Sequence, residues 1–233
     1  MIQIENTEVC GWEAAIRGMR NPMNSWDKMD SVFIPKQFCD EEDTWELSEV
    51  CGGYAPVIKG NDHQLMMNLA KGGAVHAKYR RMIAVYVDLT APLYWWKEFD
   101  TYKVGTVANS CSTMHKIHAK RFTLADFSCD HLEDMFLHGL RDTIDLLNNA
   151  RDMYLIAIKE KEPLVPAKDY WWQMIQLLPT SYNQRRTVML NYEVLTNIYH
   201  SRKNHKLDEW HTFCEWIEEL PYAEIITGGK ADG

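Results

Sequence analysis

At 233 residues the chain is long enough to bury a sizeable core, and its 46% apolar and 25% charged content is that of a globular protein. A formal net charge of −8 argues against the broad basic footprint of a nucleic-acid or anionic-membrane binder, and no stretch approaches the roughly 18 consecutive apolar residues of a membrane span. The N-terminus, MIQIENTEVCGWEAAIRG, has neither the basic nor the apolar region of a secretory signal, and the six cysteines include no CxxC pair, so reduced thiols in a cytoplasm are expected.

The segment IQIENTEV reads as a short strand leading into a helix over GWEAAIRGM. A polar loop follows from Arg20 to Ser31. The acidic run DEEDTWELSEV, residues 40–50, reads as an exposed helix. Asn61 to Gly72 places Leu65, Met66, Leu69 and Ala70 at helical spacing, and Gly72-Gly73 ends that helix. The alternation in AVYVDL predicts a strand between His76 and Leu89. Pro92 is placed to start a helix through YWWKEFDTY. Behind it stands a cluster of small polar residues, Asn109 to Thr113, read from its residue types as a helix start capped by Ser and Thr. Helical patterns then run over Leu132 to Glu160, Val165 to Leu177, Tyr182 to Tyr199 and Leu207 to Leu220, with a break at Leu178-Pro179. The expected fold is mixed α/β (α+β) and helix-rich, a single domain over residues 1–225, with residues 226–233 a disordered tail. No repeat is present, and no GxGxxG or GxxxxGK[ST] loop supports a common nucleotide fold.

Three chemistries are open to the residues. His115 and His118, with Asp126, Cys129 and His131 close behind, resemble a zinc set in residue type. Their spacing matches no ligand pattern, so no metal is expected. Cys111 has His115 four residues on, one turn away if the segment is helical. Cys111 and Ser112 are therefore the candidate nucleophiles, although a free cysteine is more often a small buried hydrophobe. Arg185, Arg186 and Arg202 offer guanidinium forks for phosphate, against the plainer reading of a solvated helix face.

The stretch TAPLYWWKEFDTYKVGTVANSCSTMH resembles the core of the flavin-dependent thymidylate synthases, which has the form Q-x-x-R-H-R-x-x-S-x-N-E-x-S-x-R-Y behind a T-A-P-type helix start. Thr90-Ala91-Pro92 opens the frame, and Gly105 falls where small residues occur. Upstream, GGAVHAKYRRMIAVYVDL puts His76 in the family's histidine place. Downstream, LPTSYNQRRTVMLNYEVLTNIYHSRKNHKLDEW is similar to two further family stretches, with Arg185, Asn191, Leu195, Asn197 and Arg202 in corresponding places. The resemblance covers Leu65 to Glu218. It implies a homotetramer that binds a deoxynucleotide such as dUMP and FAD, and takes hydride from NADPH and carbon from methylenetetrahydrofolate. Nucleotide contacts would fall on Glu98, Lys103, Asn109, Ser110, Cys111, Ser112, Arg185 and Arg202. Cofactor contacts would fall on His76, Tyr102, Lys103, Asn191 and Asn197. In a nucleotide-binding protein without that chemistry, the aromatic residues Tyr94, Trp95, Trp96 and Tyr102 would stack a base, and Arg20 and Trp26 would come from a loop closing over the ligand.

The motif departs from the family pattern. Thr101-Tyr102-Lys103 stand where the family has Arg-His-Arg, Glu98 replaces Gln, and Thr106, Ala108, Asn109, Cys111 and Thr113 replace the Ser-x-Asn-Glu-x-Ser-x-Arg series. A lysine supplies a point charge and no bidentate fork, and Glu98 repels phosphate. The expectation is a thymidylate synthase-like, nucleotide-binding protein in which methyl transfer is in doubt. The alternatives are an inactive protein that sequesters or senses a nucleotide, and a structural protein that kept the fold.

Overall fold

A computed structural model describes residues 2–39 and 42–228. Strand β1 (Gln3–Cys10) enters helix α1 (Trp12–Arg20) through Gly11. Gly11 sits at φ 93°, and a Cβ there would lie 2.1 Å from the Met82 carbonyl oxygen, so only glycine allows this approach of backbones. Strands β2 (Val32–Pro35) and β3 (Tyr54–Val57) pair antiparallel, Val32 opposite Val57, with helix α2 (Glu42–Val50) between them in sequence. The acidic run thus forms the expected exposed helix, Ser48 its one buried residue, while Asp40 and Glu41 lie outside the described residues. Helix α3 (Gly60–Lys71) buries Met66 and Met67.

Strand β4 (Ala84–Pro92) runs into helix α4 (Leu93–Phe99), and β5 (Val107–Ser110) follows. Helices α5 (Asp134–Ala157) and α6 (Ala167–Leu177) come next, then β6 (Asn183–Asn191), α7 (Tyr192–Arg202), α8 (Asp208–Glu218) and the short α9 (Glu224–Thr227). The order in the four-stranded sheet is β1-β4-β6-β5. The fold is mixed α+β and helix-rich.

The reading of Tyr182 to Tyr199 as one helix is corrected. Residues 183–191 are a strand, in which Gln184, Val188 and Leu190 are buried on every second or fourth position. That is the period-two rhythm of a strand, and the helical pattern starts only at Tyr192. The helix expected at Asn109 to Thr113 is also absent: β5 ends at Ser110 and the chain turns. At the C-terminus Ile226 and Thr227 belong to α9, with Ile226 buried, and residues 229–233 of the expected tail lie outside the described residues.

The chain resolves into two compact units. The smaller comprises Met1–Gln3, Thr90–Thr101 and Asn109–Arg186; the larger comprises Ile4–Leu89, Tyr102–Ala108 and Thr187–Gly233. In the smaller unit α5 and α6 close over Ile117, Phe122, Phe127, Leu140, Ile144, Leu147 and Met174. Its adjacent tryptophans are core. Trp95 and Trp96 are 0% and 1% exposed and pack against each other at 5.0 Å and against Phe99 at 5.1 and 5.3 Å between ring centres. They cannot stack a ligand base, which corrects that expectation.

In the larger unit Trp12 meets Tyr192 and Tyr222 edge-on at 5.3 and 5.4 Å. Arg20 is buried at the end of α1, and its Nε donates to Asp62 at 2.7 Å. The Asp62 carboxylate also accepts from the backbone N–H groups of Asp30 and Ser31. The Asp30 carboxylate in turn accepts from the N–H groups of Asn61 and Asp62 at the start of α3. Burial pushes the Asp62 carboxyl up, but the hydrogen bonds from Ser31, Arg20 and Asp30 outweigh it and hold the pKa below the usual carboxylate range. A lowered folded-state pKa stabilises the fold above the ordinary carboxylate value of about 4, and that contribution is lost as pH falls through the lowered value. Asp62→Asn leaves Arg20 buried without its counter-charge and is expected to cost roughly 3–5 kcal/mol near neutral pH. Urea unfolding followed by circular dichroism should show the wild-type advantage narrowing as the pH is taken below about 4.

Candidate functional site

The site grows from the pairing of β5 with β6 in the smaller unit. A strand sends neighbouring side chains to opposite faces. Arg186 goes to the aromatic side: its guanidinium lies 4.1 Å over the Trp96 ring, bonds Asp100 at 2.7 Å and donates from Nε to Gln184 at 3.0 Å. Arg185 takes the other face and is exposed there. The Cys111 N–H donates to the Arg185 carbonyl at 2.9 Å, and the buried Gln184 carboxamide donates to the Cys111 carbonyl at 2.8 Å. These bonds place Cys111 and Ser112 beside Arg185, which brings together three of the residues expected at a nucleotide site.

Around them lies a cavity of about 690 Å³, within the usual range for small-molecule sites. Its walls carry three cations, Lys116, Lys120 and Arg185, with the hydroxyls of Ser112, Thr113, Thr123 and Tyr182. Ile117, Ala119 and Ala125 supply apolar wall. The acid in the lining is Asp126, bonded to Lys120 and to the backbone N–H and hydroxyl of Thr123. Burial raises the Asp126 carboxyl, but Lys120 and Thr123 more than offset this and leave it below the ordinary value. The hydrogen bond that Lys120 donates to Asp126 in turn raises the pKa of its ammonium. Burial pushes the Tyr182 phenol up, so it stays a hydrogen-bond donor at neutral pH.

The loop from Cys111 to Asp126 is held from behind by the α5–α6 pair. The buried Asn148 of α5 accepts from the Phe122 N–H and donates to the Phe122 carbonyl, both at 2.9 Å. Arg151 donates to the His118 carbonyl and Trp171 to the Met114 carbonyl, each at 2.9 Å. The expected Cys111–His115 pairing along a helical turn does not form; in the turn the His115 N–H donates to Ser112 Oγ at 3.0 Å. Among the described residues no group of three or more His, Cys, Asp or Glu is placed to hold a metal ion, so the set His115, His118, Asp126, Cys129 and His131 is not assembled.

Of the other expected site residues, Glu98 lies half-buried on α4, and Asn109 and Ser110 are exposed on β5. The rest belong to the larger unit. His76 is exposed in the turn after α3, and Lys103 is exposed before β5. Asn191 caps α7, its side chain accepting from the Val194 N–H at 3.1 Å. Asn197 lines a cavity of about 280 Å³ beside the buried pair Arg80 and Glu193. Arg202 donates to the Tyr102 hydroxyl at 2.9 Å and stacks over Trp210 at 4.7 Å. Arg20 is committed to Asp62, and Trp26 is exposed with its Nε1 on Asn21. A larger cavity, about 960 Å³, is lined by Cys10, Trp12, Phe33, Cys51 and Tyr54; its lining holds one cation, Arg17, against two acids, Glu8 and Glu13, a poor balance for an anion. Lys116, Lys120, Thr123 and Tyr182 were not expected. The run HKIHAKR holds both lysines, but its residue types point first to its histidines.

No protein-family model and no curated protein matches the sequence. Solved structures to which it is similar include flavin-dependent thymidylate synthases, and the likeness extends along nearly the whole chain. Two are crystal structures of thymidylate synthase X (ThyX) from Helicobacter pylori with FAD and dUMP. One has a TM-score of 0.57 at 13% identity, covering 97% of both chains. The other has a TM-score of 0.57 at 12% identity, covering 97% of this chain and 98% of that one. At such identity the likeness is one of fold.

Because Asn148 satisfies two buried backbone groups, Asn148→Ala is expected to cost about 2–4 kcal/mol and to loosen the loop that carries Lys116 and Lys120. A thermal melt, with amide hydrogen exchange over residues 111–126, checks both effects.

Proposed function

We propose that the protein binds a (deoxy)nucleotide in the cavity between the Cys111–Asp126 loop and β6, and that it does so without the methyl transfer of thymidylate synthases. The observation that carries this reading is a cavity lined by Arg185, Lys116 and several hydroxyls, in which the one lining acid, Asp126, is balanced by Lys120, so the lining keeps a positive excess. Arg185 and Lys116 would take the phosphate, with the Lys120–Asp126 pair at its edge. Ser112 and Thr113 would add neutral donors, and the base would lie against Ile117, Ala125 and the Tyr182 ring. The fold likeness to ThyX structures holding FAD and dUMP supports a nucleotide as the ligand class.

FAD, which the fold family implies, fits the residues present poorly. A bound flavin would supply hydride transfer, and its diphosphate needs cations. Of the five positions the resemblance assigns to it, His76, Tyr102, Lys103, Asn191 and Asn197, only Lys103 is a permanent cation. Asn191 is spent on the α7 cap, and a Cβ on Gly105 would come within 2.9 Å of its Nδ2, so it has little room to turn. The Tyr102 hydroxyl takes the Arg202 Nε. Arg80, beside Asn197, already faces Glu193. Without a flavin, NADPH and methylenetetrahydrofolate have no part in the proposed function. Cys111 and Ser112 act here as binding groups.

Calorimetry with dUMP and a panel of mono-, di- and cyclic nucleotides tests the proposal. At least one is expected to bind, and Arg185→Ala to weaken it about 10- to 150-fold, the loss of one charge-assisted contact of about 1.5–3 kcal/mol. Silence across the panel, or equal affinity in Arg185→Ala, refutes it. A flavin absorption band in the purified protein would favour the flavoenzyme reading instead.

A further inference from the structure

We propose that the larger unit holds a second small-molecule site, for an organic cation with an apolar body such as an arylalkylammonium, in the cavity between β1, α1 and the β2–β3 pair. The cavity measures about 960 Å³, at the upper end of the range for small-molecule sites. Three pieces of chain build it. β1 sends Glu8 and Cys10, two residues apart, to one face. Behind the turn at Gly11, α1 brings Trp12 to the wall and sets Glu13 and Arg17, four residues apart, on one side of the helix. The strand pair adds Phe33 and Pro56, opposite one another in register, and Tyr54.

The buried part of the wall is uncharged. Burial pushes the Cys51 thiol up to about 12, and burial and the Glu8 carboxylate raise Cys10, so both sulfurs stay neutral at pH 7 and serve as soft apolar surface. Trp12 is 4% exposed, and its buried indole N–H has no oxygen or nitrogen partner; its neighbour is the Cys51 thiol. A donor left open in this way is one that an acceptor on a ligand would complete. The charged groups, Glu8, Glu13 and Arg17, are exposed. Glu8 stands beside the turn after Cys51: a Cβ on Gly52 would lie 3.5 Å from its Oε1. Among the described residues neither Glu8 nor Glu13 has a hydrogen-bond or ion-pair partner. Two carboxylates against one guanidinium leave the lining one negative charge in excess, which a monocation neutralises. Aromatic rings attract a cation over their faces, and Trp12, Phe33 and Tyr54 are all in the lining. A neutral ligand gains the apolar wall alone, and an anion meets both carboxylates. The inference does not rest on the nucleotide reading, since every residue it uses lies in the larger unit.

Titration of the full chain with tyramine, followed by calorimetry and by NMR, tests it. Tyramine pairs an ammonium with an aromatic ring and carries a phenol oxygen as acceptor. It is expected to bind more tightly than its alcohol analogue, which lacks the charge, and than its carboxylate analogue, which reverses it. Glu8→Gln and Glu13→Gln are each expected to weaken tyramine about 3- to 5-fold, as the loss of an exposed charge pair does, and the double variant about 10-fold or more. Both side chains are exposed, so the circular dichroism spectrum should be unchanged. The assigned Trp12 indole N–H resonance is expected to shift in the same titration, which places the ligand. No binding of tyramine at millimolar concentration, equal binding of the alcohol or the carboxylate, an unchanged affinity in the double variant, or a Trp12 resonance that stays in place overturns the proposal.

Discussion

The alternation of β6 separates two neighbouring arginines, and much of the smaller unit depends on that separation. Arg186 is taken inward, held between the Trp96 face, the Asp100 carboxylate and the Gln184 carboxamide. There it closes the aromatic cluster of α4. Arg185 is sent the other way, where its carbonyl takes the Cys111 amide and its side chain borders the cavity. One strand therefore finishes a core with one guanidinium and furnishes a binding wall with the next. Gln184 joins the two faces: its carbonyl accepts from Trp96 and its side chain donates to the Cys111 carbonyl.

What the sequence disclosed follows from how local its signals are. Long amphipathic helices such as α5 and α8 carry many periodic positions and are read close to their true limits. β6 is harder to see. Its nine residues are followed directly by α7, so a strand rhythm and a helix rhythm abut, and the cap that separates them is Asn191. The pair β2 and β3 is four residues a side and is fixed by pairing across α2, a non-local fact no window contains. At the site, Arg185, Cys111 and Ser112 were legible through a family frame. Lys116, Lys120 and Tyr182 were not, because what makes them neighbours is a loop held from behind by Asn148, Arg151 and Trp171.

The tryptophans teach a related point. Trp95 and Trp96 sit among charges in sequence, which suggests exposure and stacking on a ligand. Their burial comes from neighbours distant in the chain: Trp96 gives its N–H to the Gln184 carbonyl, 88 residues on, and its face to Arg186. Of the charged neighbours, Lys97 is exposed to solvent, while Asp100 turns to the Arg186 that covers the Trp96 face. A similar reassignment affects Arg202, which a family frame assigns to phosphate but which here lies on Tyr102 and Trp210.

The exchange between Asp30 and Asp62 bears on how this sequence can drift. Each carboxylate serves backbone amides beside the other: Asp30 takes the amides of Asn61 and Asp62, and Asp62 takes those of Asp30 and Ser31. Losing either one strands the amides it served and slackens the segment that presents the other. Their mutational effects are therefore non-additive: after the first loss, the second has less left to disrupt. Positions 30 and 62, with Arg20 as the charge that ties them to α1, behave as one inherited unit. Among related chains they should be kept together or exchanged together, and a chain carrying only one of them would mark an intermediate under pressure to restore its partner or discard the whole.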